Sequence, residues 1–329
     1  MTDAAPGQDA LLAMWNALGA VAPGERLYRT RRLGPRSRLD LRVGYRETDG
    51  APCLVVVADG VDTSSITAFE TGGLRLGRAR DETGTLLVLS LEEPGRRDLF
   101  AQVCADLIRS VPGDGLASAD EIVRALAERL GAWRAFLRDR TGAMQRHEIV
   151  GIAGELVVLA RLCEAGPETL GCWRSPDDGL HDFERNGWAL EVKTSLGPGG
   201  RLHVYSLDQL DDDGLAELHV AHVRLAEDPA GAGVVALAAG AERLLPTERS
   251  RRELRNALLR RGLSPEADDT FGPAMRVLGI DYYRVRGTFP RLRRRDVPAG
   301  VVEASYQLET RSLVPHAETE AEALVGVTR

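Results

Sequence analysis

Strand-like and helical hydrophobic patterns alternate through the first 140 residues. The pattern predicts strands at residues 38–44, 53–57 and 85–91. It predicts a short helix from Asp9 and longer helices over residues 97–110 and 118–138. Ser118, followed three residues later by Glu121, is typical of a capping box at a helix start. We expect an N-terminal α+β accessory domain over residues 1–140, in which nothing indicates catalysis.

From residue 141 the pattern changes to one long apolar helix followed by a series of strands. The helix begins near Gln145 and contains the segment GIAGELVVLARL. Strands are predicted at residues 172–175, 180–184, 188–194, 202–206, 217–226, 275–285 and 301–308, with turn-rich loops at 197–200 and 228–233 and a basic amphipathic helix over 244–261. A helix before a run of strands favours a sheet packed on that helix. We expect this domain to span residues 141–310, and the polar residues 311–329 to form a loose tail.

The composition fits a protein with real hydrophobic cores and no membrane segment. Of its 329 residues 43% are hydrophobic, yet no apolar run approaches the roughly 18 residues of a membrane span. The N-terminus lacks the basic flank of a signal peptide, so we expect a cytoplasmic protein without a membrane partner. The four cysteines are far apart and form no C-x-x-C pair, which favours reduced thiols. The net charge of -7 does not indicate a surface that binds nucleic acid throughout.

Asn186-Gly187, between two strand-like runs, is the strongest short signal for a two-residue hairpin turn. The turn predicts four facing pairs, which are Arg185 with Trp188, Glu184 with Ala189, Phe183 with Leu190, and Asp182 with Glu191. Two carboxylates would thus oppose each other. Two unit charges about 4 Å apart in a partly buried site repel by roughly 4 kcal/mol. Either one carboxylate holds a proton or a divalent cation binds between them, and oxygen ligands favour Mg²⁺ or Mn²⁺.

Lys193 is the only lysine among the 42 basic residues. Because side chains alternate along a strand, Lys193 and Glu191 lie on the same face. Lysine carries a compact ammonium with three rotatable donors, which arginine does not replace. A cation held by carboxylates beside an ammonium suits phosphodiester hydrolysis, in which the charge developing on the phosphate must be stabilised.

Glu155 lies inside the apolar helix, where an unpaired carboxylate would cost several kcal/mol. It is either a buried glutamate paired with an arginine or a third acidic ligand of the same site. The expected position of the helix against the sheet favours the ligand.

These residues resemble the PD-(D/E)XK nuclease superfamily, whose pattern corresponds here to Glu155, Asp182 and Glu191-Val192-Lys193. More narrowly, four ordered segments together resemble an uncharacterised bacterial family of PD-(D/E)XK proteins found near phage-defence genes. The segments are GELVVLARL, WRSPDDGLHDF, ALEVKTS and HVYSLDQL, and the resemblance extends to FPRLRRRDVPAGVVEASYQL near the C-terminus. The resemblance implies an α/β fold with a restriction-endonuclease-like core, in which helices flank a mixed sheet.

The resemblance also implies roles for the site residues. Asp182 and Glu191 would bind the metal, Lys193 would assist catalysis, and Glu155 would join them on the preceding helix. One departure is His181, which stands where the nominal motif has proline.

Candidate nucleic-acid contacts lie after the core strands and near the C-terminus. In HVYSLDQL, related nucleases place residues that contact DNA or nearby water, here His203, Ser206 and Gln209. Ser206 could equally cap a short helix. Arg291, Arg293, Arg294 and Arg295 belong to a stretch without acidic residues, which is either a solvated face or a phosphate contact.

We therefore predict a Mg²⁺- or Mn²⁺-dependent DNA endonuclease acting in restriction or phage defence. The alternatives are a non-cleaving DNA- or protein-binding module on the same fold, and a hydrolase of other phosphate esters. The expected partners are DNA, helicase or ATPase and methyltransferase components of a defence system, and a second copy of the chain in a homodimer.

Overall fold

The computed structural model describes residues 5–22, 24–34, 39–64, 66–111, 117–139, 144–177, 179–197, 199–268 and 270–327. The chain divides into two compact units, residues 1–141 and 142–329. The Thr141-Gly142 step, where the sequence predicts the boundary, lies outside the described residues, as does Arg38 at the start of a predicted strand. No helix in the described ranges is long and apolar enough to cross a membrane.

The first unit contains a six-stranded antiparallel sheet with helices from both ends of its sequence. Its elements are α1 (Gln8–Gly19), β1 (Tyr28–Arg32), β2 (Asp40–Arg46), β3 (Ala51–Val57), β4 (Phe69–Thr71), β5 (Leu74–Asp81), β6 (Gly84–Leu91), α2 (Arg97–Ser110) and α3 (Ala119–Asp139). The strand order is β1-β2-β3-β6-β5-β4. The capping box is confirmed, because the Ser118 hydroxyl accepts from the Glu121 N–H and the Glu121 carboxylate accepts from the Ser118 N–H. The α+β character is as predicted, although the short or arginine-rich β1, β4 and β5 were not predicted.

The second unit contains a mixed five-stranded sheet flanked by helices. Its elements are α4 (Arg146–Ala165), β7 (Phe183–Arg185), β8 (Trp188–Leu196), β9 (Arg201–Val204), β10 (Glu217–Ala232), α5 (Val234–Arg243), α6 (Glu248–Arg260), β11 (Met275–Arg284), β12 (Tyr306–Glu309), β13 (Ala317–Glu318) and α7 (Glu320–Leu324). The strand order is β13-β11-β10-β8-β7, and β12 pairs separately with β9. Only the β8–β10 pair is parallel among the described strands. This arrangement is consistent with a PD-(D/E)XK-like core.

Alternating residues of β8 enter two different hydrophobic cores. Trp188 and Leu190 pack in the core that contains Ile152 and Leu156 of α4. Ala189 belongs to the second core, together with Leu202 of β9. Since both faces of β8 are covered, the strand that carries Glu191 and Lys193 is fixed rigidly inside the unit.

Several predicted boundaries were wrong. The loop predicted at 228–233 is mostly the extension of β10, and its pairing with β11 shifts register between Glu227 and Ala232. Helix α5 was not predicted, and the helix expected from 244 begins at Glu248. The strand predicted at 172–175 is a 3₁₀ turn ending in a single bridge at Trp173.

The prediction of a loose tail over residues 311–329 was wrong for the described residues up to 327. Strand β13 pairs with β11, and Leu313, Ala323 and Val327 are fully buried. The indole N–H of Trp188 donates to the Ala323 carbonyl over 2.8 Å. The segment is polar in composition, yet its few apolar residues lie inward and attach it to the sheet.

This attachment can be tested at two neighbouring residues. Leu313→Ala should destabilise the protein by about 2–5 kcal/mol, because it leaves a cavity at a residue with 0% exposure. Val314→Ala is the matched control, since Val314 is 67% exposed and should change stability by less than about 0.5 kcal/mol. Chemical denaturation of both variants measures the difference, and equal stabilities would show that the segment does not contribute to the core.

Candidate active site

The hairpin β7–β8 forms as the sequence predicts. Asn186 and Gly187 have φ values of 50° and 81°, the left-handed conformations that a type I′ turn requires at both positions. Three facing pairs are confirmed, Phe183 with Leu190, Glu184 with Ala189 and Arg185 with Trp188. The turn therefore sets the register of the hairpin, in which Glu191 is the first residue of β8 after the last pair, Phe183 with Leu190.

Asp182 immediately precedes the first residue of β7 and does not extend the ladder opposite Glu191. Its backbone carbonyl accepts from the Arg174 N–H over 2.8 Å. Its carboxylate Oδ2 instead accepts from the backbone N–H of Val192 over 2.7 Å. Because β7 begins only at Phe183, it is the Asp182 side chain and not a backbone carbonyl that accepts from this N–H of β8. Asp182 was predicted to pair with Glu191. Its side chain instead contacts the backbone of β8 at the next residue, Val192.

Glu155 reaches the same place because α4 approaches β8 very closely. A Cβ atom at Gly154 would lie 1.9 Å from the Thr194 hydroxyl oxygen, so only glycine allows this approach. The adjacent Glu155 is 4% exposed. Its carboxylate accepts from the Trp173 indole N–H over 2.9 Å and from an Arg261 N–H over 2.7 Å. The arginine pairing left open by the sequence is therefore present, and Glu155 also lines the cleft, where its role as a metal ligand stays a prediction.

Glu191 and Lys193 lie on one face of β8, as the alternation predicts. The Lys193 ammonium donates to Glu191 Oε1 over 2.8 Å and to Gln209 Oε1 over 2.7 Å. Gln209 Oε1 also accepts from the Tyr205 N–H over 2.8 Å. Lys193 is only 7% exposed, and these contacts hold its ammonium in one position.

The four predicted catalytic residues line one cleft of about 660 Å³. They are Glu155, Asp182, Glu191 and Lys193. The cleft is also lined by Gln209, His203, Tyr205 and Arg261. The structure thus brings together residues that are distant in sequence, and it adds an arginine at the end of α6.

Negative charge dominates the buried part of the cleft. Burial raises the pKa of Asp182 well above its ordinary value, and the neighbouring carboxylates of Glu191 and Glu155 raise it further. Burial alone would lower the pKa of Arg261, but Glu155 raises it above its ordinary value. Lys193 pairs with Glu191 and Arg261 pairs with Glu155. Asp182 has no such cationic partner among the described contacts, so its ionised form is disfavoured.

The donor set fits a hard divalent cation, although the carboxylates are engaged by other partners. Asp182, Glu191 and Glu155 offer carboxylate oxygens, which Mg²⁺ and Mn²⁺ prefer. Within the described ranges, no three His, Cys, Asp or Glu side chains are arranged as a ready metal site. In this arrangement Arg261 holds Glu155 and Lys193 holds Glu191. A cation would have to take over part of these contacts.

The predicted nucleic-acid contacts within HVYSLDQL separate into two groups. Gln209 and His203 line the cleft. Ser206 does not line it, and it does not cap the 3₁₀ turn Asp208–Leu210 either, because Leu207 takes that position. The capping alternative for Ser206 was therefore wrong.

The predicted DNA-contacting arginines near the C-terminus lie beside carboxylates, most of which are distant in the sequence. Arg291 donates to Asp212 over 2.7 Å, and its side chain is only 3% exposed. This buried internal ion pair does not favour the predicted contact of Arg291 with DNA. Arg293 pairs with Asp296, Arg294 with Asp208, and Arg295 lies 3.7 Å from Asp212.

Three residues of the cleft region were missed by sequence reasoning. They are Trp173, Tyr205 and Arg261. The first two lie within segments that carry the resemblance, and the third follows the last residue of the basic helix. Their side-chain directions, which decide their roles, are not visible in the pattern.

Comparison with known proteins agrees with this geometry. Residues 11–311 match the model of a family described as "Putative PD-(D/E)XK family member, (DUF4420)". No curated protein and no solved structure matches the chain. The match includes the cleft and every residue that the sequence assigned to it, and the chain therefore belongs to the DUF4420 family of PD-(D/E)XK-type proteins.

Proposed function

We propose that the protein is a metal-dependent nuclease that hydrolyses phosphodiester bonds in DNA. The observation that carries the proposal is the convergence of Asp182, Glu191, Glu155 and the only lysine of the chain on one cleft. Family membership supports the nuclease fold, because PD-(D/E)XK proteins are usually nucleases and typically use divalent metals.

The carboxylates of Asp182 and Glu191, joined by Glu155, would hold Mg²⁺ or Mn²⁺. Such a cation neutralises charge on the phosphate and favours deprotonation of the attacking water. The ammonium of Lys193 is fixed by Glu191 and Gln209, which use two of its three donors. The third donor would stabilise the charge that develops on a phosphate oxygen. Because the cleft walls are largely buried, these charges act in a medium where they are stronger than in water.

The resemblance also supports the finer parts of the proposal. A location beside phage-defence genes in similar proteins favours a role in restriction or phage defence. Helicase or ATPase and methyltransferase components would then be the partners, and a homodimer would cut both strands.

The competing function is a DNA- or protein-binding module that does not cut. It is favoured by the engagement of Glu155 and Glu191 with Arg261 and Lys193, which stabilises the cleft without a metal. The two functions differ in what a divalent cation does to the protein and to DNA.

The proposal is tested by incubating the protein with plasmid and linear DNA in the presence of Mg²⁺, Mn²⁺ or a chelator. Cleavage should require the cation. Lys193→Arg keeps the positive charge, but its longer planar guanidinium cannot occupy the same point. It should reduce cleavage at least about a hundredfold, or about 2.7 kcal/mol, with an unchanged metal-induced gain in melting temperature. If the arginine variant cuts as well as the parent, Lys193 supplies only general positive charge.

A second prediction follows from the charge of Asp182. Divalent metal should raise the melting temperature, and Asp182→Asn should abolish that gain while leaving the metal-free protein at least as stable, since it removes repulsion with Glu191. Asp177→Asn is the control, because Asp177 is half exposed and pairs with Arg260. Differential scanning fluorimetry separates the two variants. Retention of the metal response by Asp182→Asn would exclude Asp182 as a ligand.

A third prediction concerns Arg261, whose guanidinium forms a salt bridge with the Glu155 carboxylate. Arg261→Gln should lower the stability of the metal-free protein, because it leaves a buried carboxylate unpaired. It should bind Mn²⁺ roughly tenfold more tightly, or about 1.4 kcal/mol, since the cation no longer displaces an arginine. Arg260→Gln is the matched control, with the same 29% side-chain exposure and a salt bridge to Asp177. Calorimetric titration of both variants measures the affinities. Weaker Mn²⁺ binding by Arg261→Gln would mean that Arg261 positions Glu155 for the metal.

A further inference from the structure

His203 and Tyr205 form a stacked aromatic pair at the cleft. Their ring centroids are 4.2 Å apart and their planes differ by 5°. Both residues line the cleft that contains Lys193. His203 is exposed, and Tyr205 is 55% exposed, among the larger values for hydrophobic side chains in the described residues. A stacked pair of rings on two exposed residues presents an aromatic surface to the solvent in the cleft.

The His203–Tyr205 pair lies next to Lys193, the lysine of the proposed active site. The Lys193 ammonium lies 5.5 Å from the centroid of the Tyr205 ring. Gln209 Oε1 accepts from both the Lys193 ammonium and the Tyr205 N–H. The aromatic surface and the ammonium are therefore held at a fixed separation, close enough for the base and the phosphate of one nucleotide to contact both.

The local backbone explains why both rings lie on the same side. His203 is in β9, and Tyr205 follows the last residue of that strand. Residues two apart in an extended chain point to the same face. The intervening Val204 is buried in the second core, which fixes the opposite face. The exposure of the rings is thus built into β9 and does not depend on a loose loop.

The four predicted DNA-contacting arginines near the C-terminus all lie beside carboxylates, with Arg295 3.7 Å from Asp212. Arg291 is buried, and Arg293 and Arg294 pair with Asp296 and Asp208. Binding through the phosphates of a duplex depends on cations that are available to replace counterions. Stacking on aromatic rings requires a base whose face is accessible, which is the case in a single strand and not inside a duplex.

We propose that the His203–Tyr205 pair binds an unpaired nucleobase, so that the cleft acts on single-stranded DNA or on an unpaired stretch within a duplex. This inference rests on the proposed nuclease function and names its substrate class. The base stacks on the pair while the adjoining phosphate meets Lys193. Stacking tolerates every base, so the site carries no sequence preference from this contact.

The test measures binding without cleavage. Fluorescence anisotropy, in the presence of a chelator, compares a labelled oligodeoxynucleotide of mixed sequence with the same sequence as a blunt duplex. The single strand should bind more tightly. Tyr205→Ala and His203→Ala should each weaken single-strand binding about 5- to 150-fold, the range expected for loss of one stacked base. Tyr205→Phe keeps the ring and should bind like the parent.

Leu180→Ala is the matched control, because Leu180 is also 55% exposed and does not line the cleft. It should bind both probes like the parent. An oligoribonucleotide of the same sequence shows whether the unpaired base comes from DNA or from RNA. Weaker binding of either oligonucleotide by Tyr205→Ala supports the base-binding role of the His203–Tyr205 pair. Equal binding of single strand and duplex by the parent would overturn the inference, as would equal binding by Tyr205→Ala and Leu180→Ala.

Because the readout is affinity in a chelator, it separates this inference from the proposed function. A single-strand preference that depends on Tyr205, without cleavage under any metal condition, would keep the binding surface and reject the nuclease. Metal-dependent cleavage of intact duplex that is unaffected by Tyr205→Ala would support the proposed nuclease function and contradict base binding by the His203–Tyr205 pair.

Discussion

The close approach of helix α4 to strand β8 is the constraint on which the site depends. Gly154 touches the Thr194 hydroxyl so closely that no side chain fits between helix and strand. The adjacent Glu155 is consequently buried beside the buried Glu191 and the partly buried Asp182, where water screens the three carboxyl groups poorly. Arg261 pairs with Glu155, and Lys193 pairs with Glu191. The pKa of Asp182 is raised well above its ordinary value, which favours its neutral form. A divalent cation bound by these carboxyl groups would favour the ionised form of Asp182 as well.

The parts of the fold that depend on local interactions could be predicted from the sequence. Asn186-Gly187 fixed the register of the hairpin, because both positions require left-handed backbone conformations. The capping pair Ser118 and Glu121 fixed the start of α3. Alternation along β8 placed Glu191 and Lys193 on one face, which the contact between them confirms. Each of these features involves residues only a few positions apart.

The features that were missed depend on contacts across long stretches of chain. Arg261 and Glu155 are 106 residues apart, and Arg294 and Asp208 are 86 residues apart. The segment after residue 310 looked like a tail because its attachment relies on a short strand and a few buried residues such as Leu313. Hydrophobic periodicity does not report which distant carboxylate an arginine meets. The ion pairs of the basic stretch were therefore not predicted, and neither was the stacking of Tyr205 on the predicted contact residue His203.

The central claim is that Asp182, Glu191 and Glu155 bind a divalent cation in competition with their present partners. A crystal structure of the protein grown with Mn²⁺, with anomalous scattering recorded to locate manganese, tests this most directly. The account predicts an ion within about 2–2.5 Å of oxygens from Asp182 and Glu191, with Glu155 released from the 2.7 Å contact to Arg261. A cleft without manganese at saturating concentration, with the pairs Glu155–Arg261 and Glu191–Lys193 unchanged, would contradict it.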